Sequence, residues 1–302
     1  MAYTYISQII TPEVLGDQIS AKFPDYLVFG NSALVEVDST FPLGSPGIQF
    51  KIPFWKRIAS FSALTEGTPM STTNITTGSE YAVVQRAGLA LEVLDTAELV
   101  SKADPVGEIS DQIGRRAAEY IDNQLVLAAN KTPNVLDYSG NSGTNGKIDQ
   151  NGIIQGMLTL GDNASSLQSG GAIIMHSKPF GDLLQTASIQ NQYQSGANVI
   201  LGGMLPTLLG MPIIVSDLVY TAPISSGSSI TEYDTYIIGP GALALFYQRQ
   251  VMVEFDRDIL LSADVISANV HFATHLFGWD DAGNAQAAEQ AKSIHAVVVK
   301  SK

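Results

Sequence analysis

Hydrophobic residues recur at three- and four-residue steps between residues 104 and 130, and this is the strongest helical pattern in the chain. Asp104, Pro105 and Glu108 provide an N-cap, a first-turn proline and an acid near the positive end of the helix. The predicted apolar stripe consists of Val106, Ile109, Ile113, Ala117, Tyr120, Ile121, Gln124 and Ala128. About 26 residues at about 1.5 Å each predict a rigid helix about 39 Å long.

Two strand-like runs precede this helix. In residues 48–58, apolar side chains alternate with polar ones, and Pro53 restricts this strand to an edge or a bulge. Residues 81–94 form the second run, after a polar linker that is rich in Thr and Gly. Together they predict a long two-stranded hairpin. Because an isolated hairpin is marginally stable in water, we expect it to lie on a neighbouring subunit.

The rest of the chain predicts an arm, a mixed α/β region and a group of long strands. The arm carries a short helix opened by Thr11 and Pro12, and a second short helix covers residues 96–102. A Gly-, Ser- and Asn-rich stretch, residues 138–147, suggests a boundary between two lobes. Further helices are predicted at residues 152–160 and from Ser177, and strands at 172–175, 205–209, 211–215, 233–238, 244–247, 251–255, 262–277 and 294–299.

Composition adds an indication of assembly. Of 302 residues only 15% are charged, so much of the surface is neutral and we expect partners to cover part of it. The net charge of -13 argues against sequence-specific binding of nucleic acid, which depends on Lys and Arg. The absence of cysteine excludes disulfides and zinc-thiolate sites. We also expect no membrane partner, because no long apolar window occurs.

Candidate catalytic and metal-binding residues are few. His271 and His275 share one face of a strand or helix, but a zinc-protease motif would have a glutamate where Phe272 stands. Three acids, Glu254, Asp256 and Asp258, alternate along a strand and fit either a hard cation or a solvated face paired with Arg257. We favour ordinary strand histidines and a salt-bridged face. No nucleophile elbow or phosphate-binding loop occurs. We therefore predict neither a cofactor nor an enzyme.

Four segments in this order resemble the major capsid proteins of tailed bacteriophages, of the Hong Kong 97 type. They are residues 52–70 with IPFWKRI and ALTEGTPM, residues 95–126 from DTAELVSKADP to NQLV, LLGMPIIVSD at 208–217 and QVMVEFDRD at 250–258. The resemblance implies an α+β fold with five segments: an N-terminal arm (1–40), an extended β-hairpin loop (41–95), a first peripheral part with the spine helix (96–148), an axial domain (149–248) and a second peripheral part (249–302).

This resemblance also implies function and partners. The chain would assemble as hexamers and pentamers into the icosahedral head around double-stranded DNA, in the host bacterial cytoplasm, with a separate scaffolding protein, a portal and a possible cement or decoration protein. Loops within residues 185–205 would organise the rings. No lysine lies between Ser60 and Ser79, which argues against the covalent crosslinks of some relatives. We predict inter-subunit contacts at Phe61, Leu64, Glu66, Met70, Ile75, Arg115, Arg116 and Arg257.

Three alternatives stay open at this point. An encapsulin-like nanocompartment shell would use the same fold around a different cargo. A β-rich phage tail or adhesion protein belongs to another class, and the long capped helix argues against it. An unrecognised enzyme would have to work with acids and hydroxyls alone.

Overall fold

The structure is a computed structural model. It describes residues 27–30, 35–38, 47–55, 77–94, 105–161, 164–168, 170–186, 207–224, 230–278 and 295–302, with single positions at 63, 67, 70, 72, 74, 75 and 96. The strands are β1 (Val35–Asp38), β2 (Gln49–Trp55), β3 (Thr77–Val83), β4 (Gln85–Leu94), β5 (Val135–Asp137), β6 (Ala172–Met175), β7 (Thr207–Leu208), β8 (Met211–Val215), β9 (Thr221–Pro223), β10 (Thr231–Ile238), β11 (Leu243–Asp258), β12 (Ala263–Leu276) and β13 (Ala296–Ser301). The helices are α1 (Pro105–Ala129), α2 (Gln150–Leu158), α3 (Ala164–Gln168) and α4 (Ser177–Leu184).

A four-stranded sheet is built on the long antiparallel pair β11 and β12, in the order β1-β11-β12-β4. Separate strands were expected at residues 244–247 and 251–255. That prediction was wrong, because β11 continues through two register shifts, between Tyr247 and Arg249 and between Arg249 and Met252. Such irregularities bend a strand without ending it. The predicted segment boundary at residues 248 and 249 therefore falls inside one strand.

The second large sheet has seven strands in the order β5-β13-β10-β6-β8-β7, with β9 also paired to β10. Its β13 lies antiparallel to β10 and parallel to β5. A strand thus forms close to the predicted residues 294–299, at Ala296–Ser301, but its hydrogen bonds join it to the α/β lobe and not to the long strands. Helix α2 covers one face of this sheet, where Ile153, Ile237 and Val299 are buried together.

Helix α1 confirms the predicted long helix, with 25 residues and thus a length of about 37 Å. Its buried stripe is rotated from the predicted one: Tyr120 is 42% exposed, whereas Ala118 and Leu125 are fully buried. The stripe packs in a core that also contains residues of β11, β12, β10 and β13. Helix α1 therefore packs on the four-stranded sheet and shares one hydrophobic core with the seven-stranded sheet.

The predicted hairpin forms, but its second strand was misplaced. Strand β2 pairs antiparallel with β3, from Gln49 opposite Val83 to Trp55 opposite Thr77. Residues 81–94 do not make one strand of this hairpin. The chain changes partner at Val84, and β4 pairs with β12 in the four-stranded sheet. No proline or glycine lies between residues 81 and 87, so the sequence carries no turn signal at Val84. Pro53 lies opposite Ser79 in a two-stranded sheet, as its edge role requires.

Candidate assembly interfaces

The β2–β3 hairpin is fixed to the four-stranded sheet at its base, which we call the hairpin root (Gly47–Phe50 with Glu80–Val84). Phe50 packs on Phe246 of β11, with ring centroids 5.8 Å apart. Ala82, Ala244 and Ala273 are buried in the same cluster. The side-chain amide of Gln248 also donates a hydrogen bond to the carbonyl oxygen of Gly47, at 3.0 Å. The root is therefore held by apolar packing and by the backbone.

A buried contact between Glu80 and His275 adds to this attachment. Oε2 of Glu80 lies 2.6 Å from Nε2 of His275, and the two side chains are only 6% and 10% exposed. The backbone N–H of Gly278 donates to Oε1 of the same carboxylate, at 3.1 Å. His275 thus has a carboxylate partner 195 residues away in sequence. Among the described residues, no group of three or more His, Asp or Glu side chains is placed to hold a metal ion.

Beyond the root, the loop of the hairpin presents apolar side chains to solvent. Met70 is 74% exposed and Ile75 is 66% exposed. The predicted contact residues Phe61, Leu64 and Glu66 lie outside the described residues. The predicted helix at residues 11–24 also lies outside the described residues, as do most of residues 96–102 and 185–205. Two of the five predicted loop contacts are therefore seen, and both are exposed.

Asp122 anchors the chain's N-terminal part to α1. Its carboxylate is 1% exposed and accepts hydrogen bonds from the backbone N–H groups of Val28, Phe29 and Gly30, at 2.8, 3.2 and 3.1 Å. Burial raises the pKa of Asp122, while the three backbone hydrogen bonds oppose that shift. Asp122 was not among the functional residues predicted from the sequence. Its signal was an acid within the apolar stripe, four residues after Ala118 and three before Leu125.

The acidic residues of β11 are engaged in pairs and in a turn. Glu254 accepts from Arg249 at 3.3 Å, and Arg257 pairs with Asp264 of β12 at 2.8 Å. Oδ1 of Asp258 accepts from the backbone N–H groups of Leu260 and Leu261, at 2.8 and 3.3 Å. These contacts support the salt-bridged interpretation of this face.

Between β11 and β12 the turn carries three exposed apolar side chains, and we call it the apolar tip (residues 258–262). Ile259, Leu260 and Leu261 are 84%, 94% and 57% exposed. Ser262 has a φ of +50°, a conformation that non-glycine residues seldom adopt. The turn is thus shaped by the Asp258 hydrogen bonds and by Ser262, not by its apolar side chains.

A cavity of about 580 Å³ lies between α1 and the sheet strands β4 and β12, and we call it the helix–sheet groove. Its apolar lining includes Leu89, Ile113 and Tyr120, and its basic lining residues are Arg86 and Arg116. Arg115 and Arg116 are both exposed, and Arg116 pairs with Glu119 on the helix surface at 2.7 Å. The predicted contact residues thus fall on three surfaces: the hairpin loop, α1 beside this groove, and Arg257 next to the apolar tip.

A model of the Gp13-like family, described as major capsid protein 13-like, matches residues 57–258, two thirds of the chain. The chain belongs to this family. It is 26% identical over 304 residues to the major capsid protein of Bacillus phage SPP1, covering 95% of this chain and 89% of that protein. It is 25% identical over 279 residues to the major capsid protein of Staphylococcus phage phiMR11, covering 91% and 92%.

Solved capsid structures share the fold of this Gp13-like chain. The capsid of Ralstonia phage GP4 has a TM-score of 0.68 at 8% identity and covers 91% of each chain. That of Mycobacterium phage Che8 has a TM-score of 0.66 at 15% identity and covers 90% of each. The expected Hong Kong 97-type fold and the assignment as a tailed-phage major capsid protein are confirmed. The chain is therefore a component of the virion and assembles into a multimeric shell.

The same comparisons decide among the alternatives. A match to capsid proteins over nine tenths of the chain disfavours both the nanocompartment shell and the tail or adhesion protein. The Gp13-like family consists of structural proteins, in keeping with the expectation of a non-enzyme. In the part of the chain that the structure describes, no helix is both long and apolar enough to cross a bilayer.

Proposed function

We propose that the chain forms hexamers and pentamers of an icosahedral head around double-stranded DNA, with the hairpin loop and the N-terminal arm lying on neighbouring copies. The hairpin carries this proposal. Its root is fixed to the body by the Glu80–His275 pair and the Phe50 cluster, whereas Met70 and Ile75 of its loop are exposed. A fixed root with an apolar loop in solvent is expected of an arm that is covered by another copy.

The proposed contacts follow the three surfaces. Phe61, Leu64, Glu66, Met70 and Ile75 would meet a neighbour through the loop, Arg115 and Arg116 through α1, and Arg257 beside the apolar tip. The five segments proposed from sequence would keep their roles, with the arm (1–40) reaching outward past the anchor at Asp122 and the axial region organising rings.

Partners and place of assembly complete the proposal. A separate scaffolding protein would guide assembly in the host bacterial cytoplasm, a portal would occupy one vertex, and a cement or decoration protein could strengthen the outer face. The net charge of -13 supports a wall that repels DNA and does not bind it by sequence.

Deleting residues 61–75 tests the role of the loop, because the deletion spares β2 and β3. We expect a folded chain, by circular dichroism and hydrogen exchange, that does not close shells in negative-stain images of purified protein. A milder version is the double substitution Met70→Ser with Ile75→Ser. Its matched control is Leu158→Ser, since Leu158 of α2 is similarly exposed at 65%. Normal shells from the deletion variant would refute the assignment of the loop.

A further inference from the structure

The apolar tip is a defined turn that holds its apolar side chains away from the protein. Asp258 accepts both backbone N–H groups that follow it, and the Arg257–Asp264 pair joins the two strands next to the turn. Leu260 at its apex is 94% exposed. Three consecutive exposed apolar residues on a fixed turn are a feature of contact surfaces, because isolated soluble chains avoid such patches.

The helix–sheet groove has the complementary chemistry. Its lining is mainly apolar, and its volume of about 580 Å³ lies within the range of about 300–1,000 Å³ that is typical of ligand pockets. Gly88 lies on the β4 side of the groove, where a Cβ would meet the carbonyl oxygen of Ala268 at 3.0 Å. Arg86 and Arg116 add positive charge to this otherwise apolar cavity.

Charge favours the tip as the occupant of the groove. The strand leading to the tip presents the exposed acid Asp256, and the groove presents Arg86 and Arg116. Within one copy, Arg116 is paired with Glu119 on the helix surface, and Glu254 with Arg249. Acids around an apolar insertion and arginines around an apolar receptor make complementary surfaces, which fix orientation and reject wrong partners.

The contact has to join two copies of the chain. Asn269 in the groove lining lies six positions after Ala263 beside the tip, a distance of about 20 Å along β12. Since β12 is hydrogen-bonded on both sides, by β11 and β4, the tip does not fold back onto its own groove.

We propose that the apolar tip of one copy inserts into the helix–sheet groove of a second copy, with Asp256 facing Arg116. This proposal rests on the proposed shell function and names one of its contacts. Tip and groove are different surfaces, so the contact is head-to-tail, and repeated contacts of that kind close into rings when the rotation between copies allows it.

The chain contains no cysteine, which permits a clean disulfide test. Shells of the variant Leu260→Cys with Leu89→Cys are oxidised and run on a denaturing gel without reductant. We expect a ladder of crosslinked copies. The matched control, Leu260→Cys with Leu158→Cys, pairs the tip with a leucine on α2 that is more exposed than Leu89, at 65% against 45%, and should stay monomeric on the gel. Dimers from Leu260→Cys alone would show that tips meet each other and would overturn the proposal.

Charge reversal provides a second measurement that does not depend on thiols. Asp256→Arg and Arg116→Asp should each lower the yield of shells about tenfold, because each places like charges together, and the double variant should recover most of the yield. No recovery, together with no ladder, would refute the contact while shells of the unchanged chain still form. If the unchanged chain forms no shells at all, the proposed function itself fails.

Discussion

Removing the carboxylate of Glu80 should loosen the hairpin root. The substitution Glu80→Ala deprives both His275 and the Gly278 N–H of their partner in a site where the side chains are 6% and 10% exposed. Each buried polar group that loses its hydrogen-bond partner costs about 1–3 kcal/mol, and this substitution leaves two such groups, the His275 ring and the Gly278 N–H. We therefore expect the free energy of unfolding to fall by about 2–4 kcal/mol.

The assay is urea denaturation of unassembled protein, with hydrogen exchange of the β3 amides to locate the effect. Glu80→Gln should cost about half as much, because the amide oxygen still accepts one hydrogen bond. Glu92→Gln is the matched control, since Glu92 on neighbouring β4 is exposed, and should change the free energy by less than about 0.5 kcal/mol. If Glu80→Ala unfolds at the same urea concentration as Glu92→Gln, and β3 exchanges no faster, the buried pair does not hold the root.

Two further predictions concern buried acids. Asp122→Ala removes the acceptor of three backbone N–H groups, so the amides of Phe29 and Gly30 should exchange at least about tenfold faster, whereas Asn123→Ala on the exposed side of α1 should leave them unchanged. Burial raises the pKa of Asp234 to about 6, so the folded state binds this proton more tightly than the unfolded state does. Its contribution to stability is therefore greatest below about pH 4 and is lost as the pH rises through about 6, by up to about 3 kcal/mol. Asp234→Asn should remove that part of the pH dependence in thermal melts between pH 4 and 7; an unchanged slope would contradict the reasoning.

Local patterns predicted the elements well where caps and periodicity agree. The start of α1 at Pro105, the strand Ala172–Met175 and the strand Met211–Val215 all lie where the sequence placed them. In each case, residues close in sequence carry the information: a proline in the first turn, a short apolar run, or Gly210 with its φ of +83° at the preceding turn.

Partnership between strands could not be predicted in the same way. Residues 81–94 were predicted as one strand, yet Val83 pairs with Gln49 while Gln85 pairs with Phe272. The pairing partner of a strand can lie nearly two hundred residues away, as Phe272 does from Gln85. The residues next to a strand in sequence do not indicate such a partner. The local patterns gave the overall order of elements and the resemblance to capsid proteins gave the fold, but neither gave these registers.

The polar contacts were missed for the same reason. Asp122 was not among the predicted contact residues, and its partners are backbone N–H groups 92 to 94 residues earlier, which the sequence around Asp122 does not indicate. His275 was weighed as a metal ligand beside His271, while its actual partner, Glu80, belongs to the hairpin. Both contacts join the extended parts of the chain to its body.

The position of β13 has a consequence for synthesis. This strand, residues 296–301, lies between β5 and β10 in the seven-stranded sheet, so it separates strands made more than fifty residues earlier. The sheet lacks this interior strand until the ribosome has passed residue 301. Prematurely terminated chains would be left with two unpaired strand edges in place of a finished lobe. Such fragments would lack the complete lobe and would not pack among full-length copies. Truncated chains would therefore be excluded from the shell.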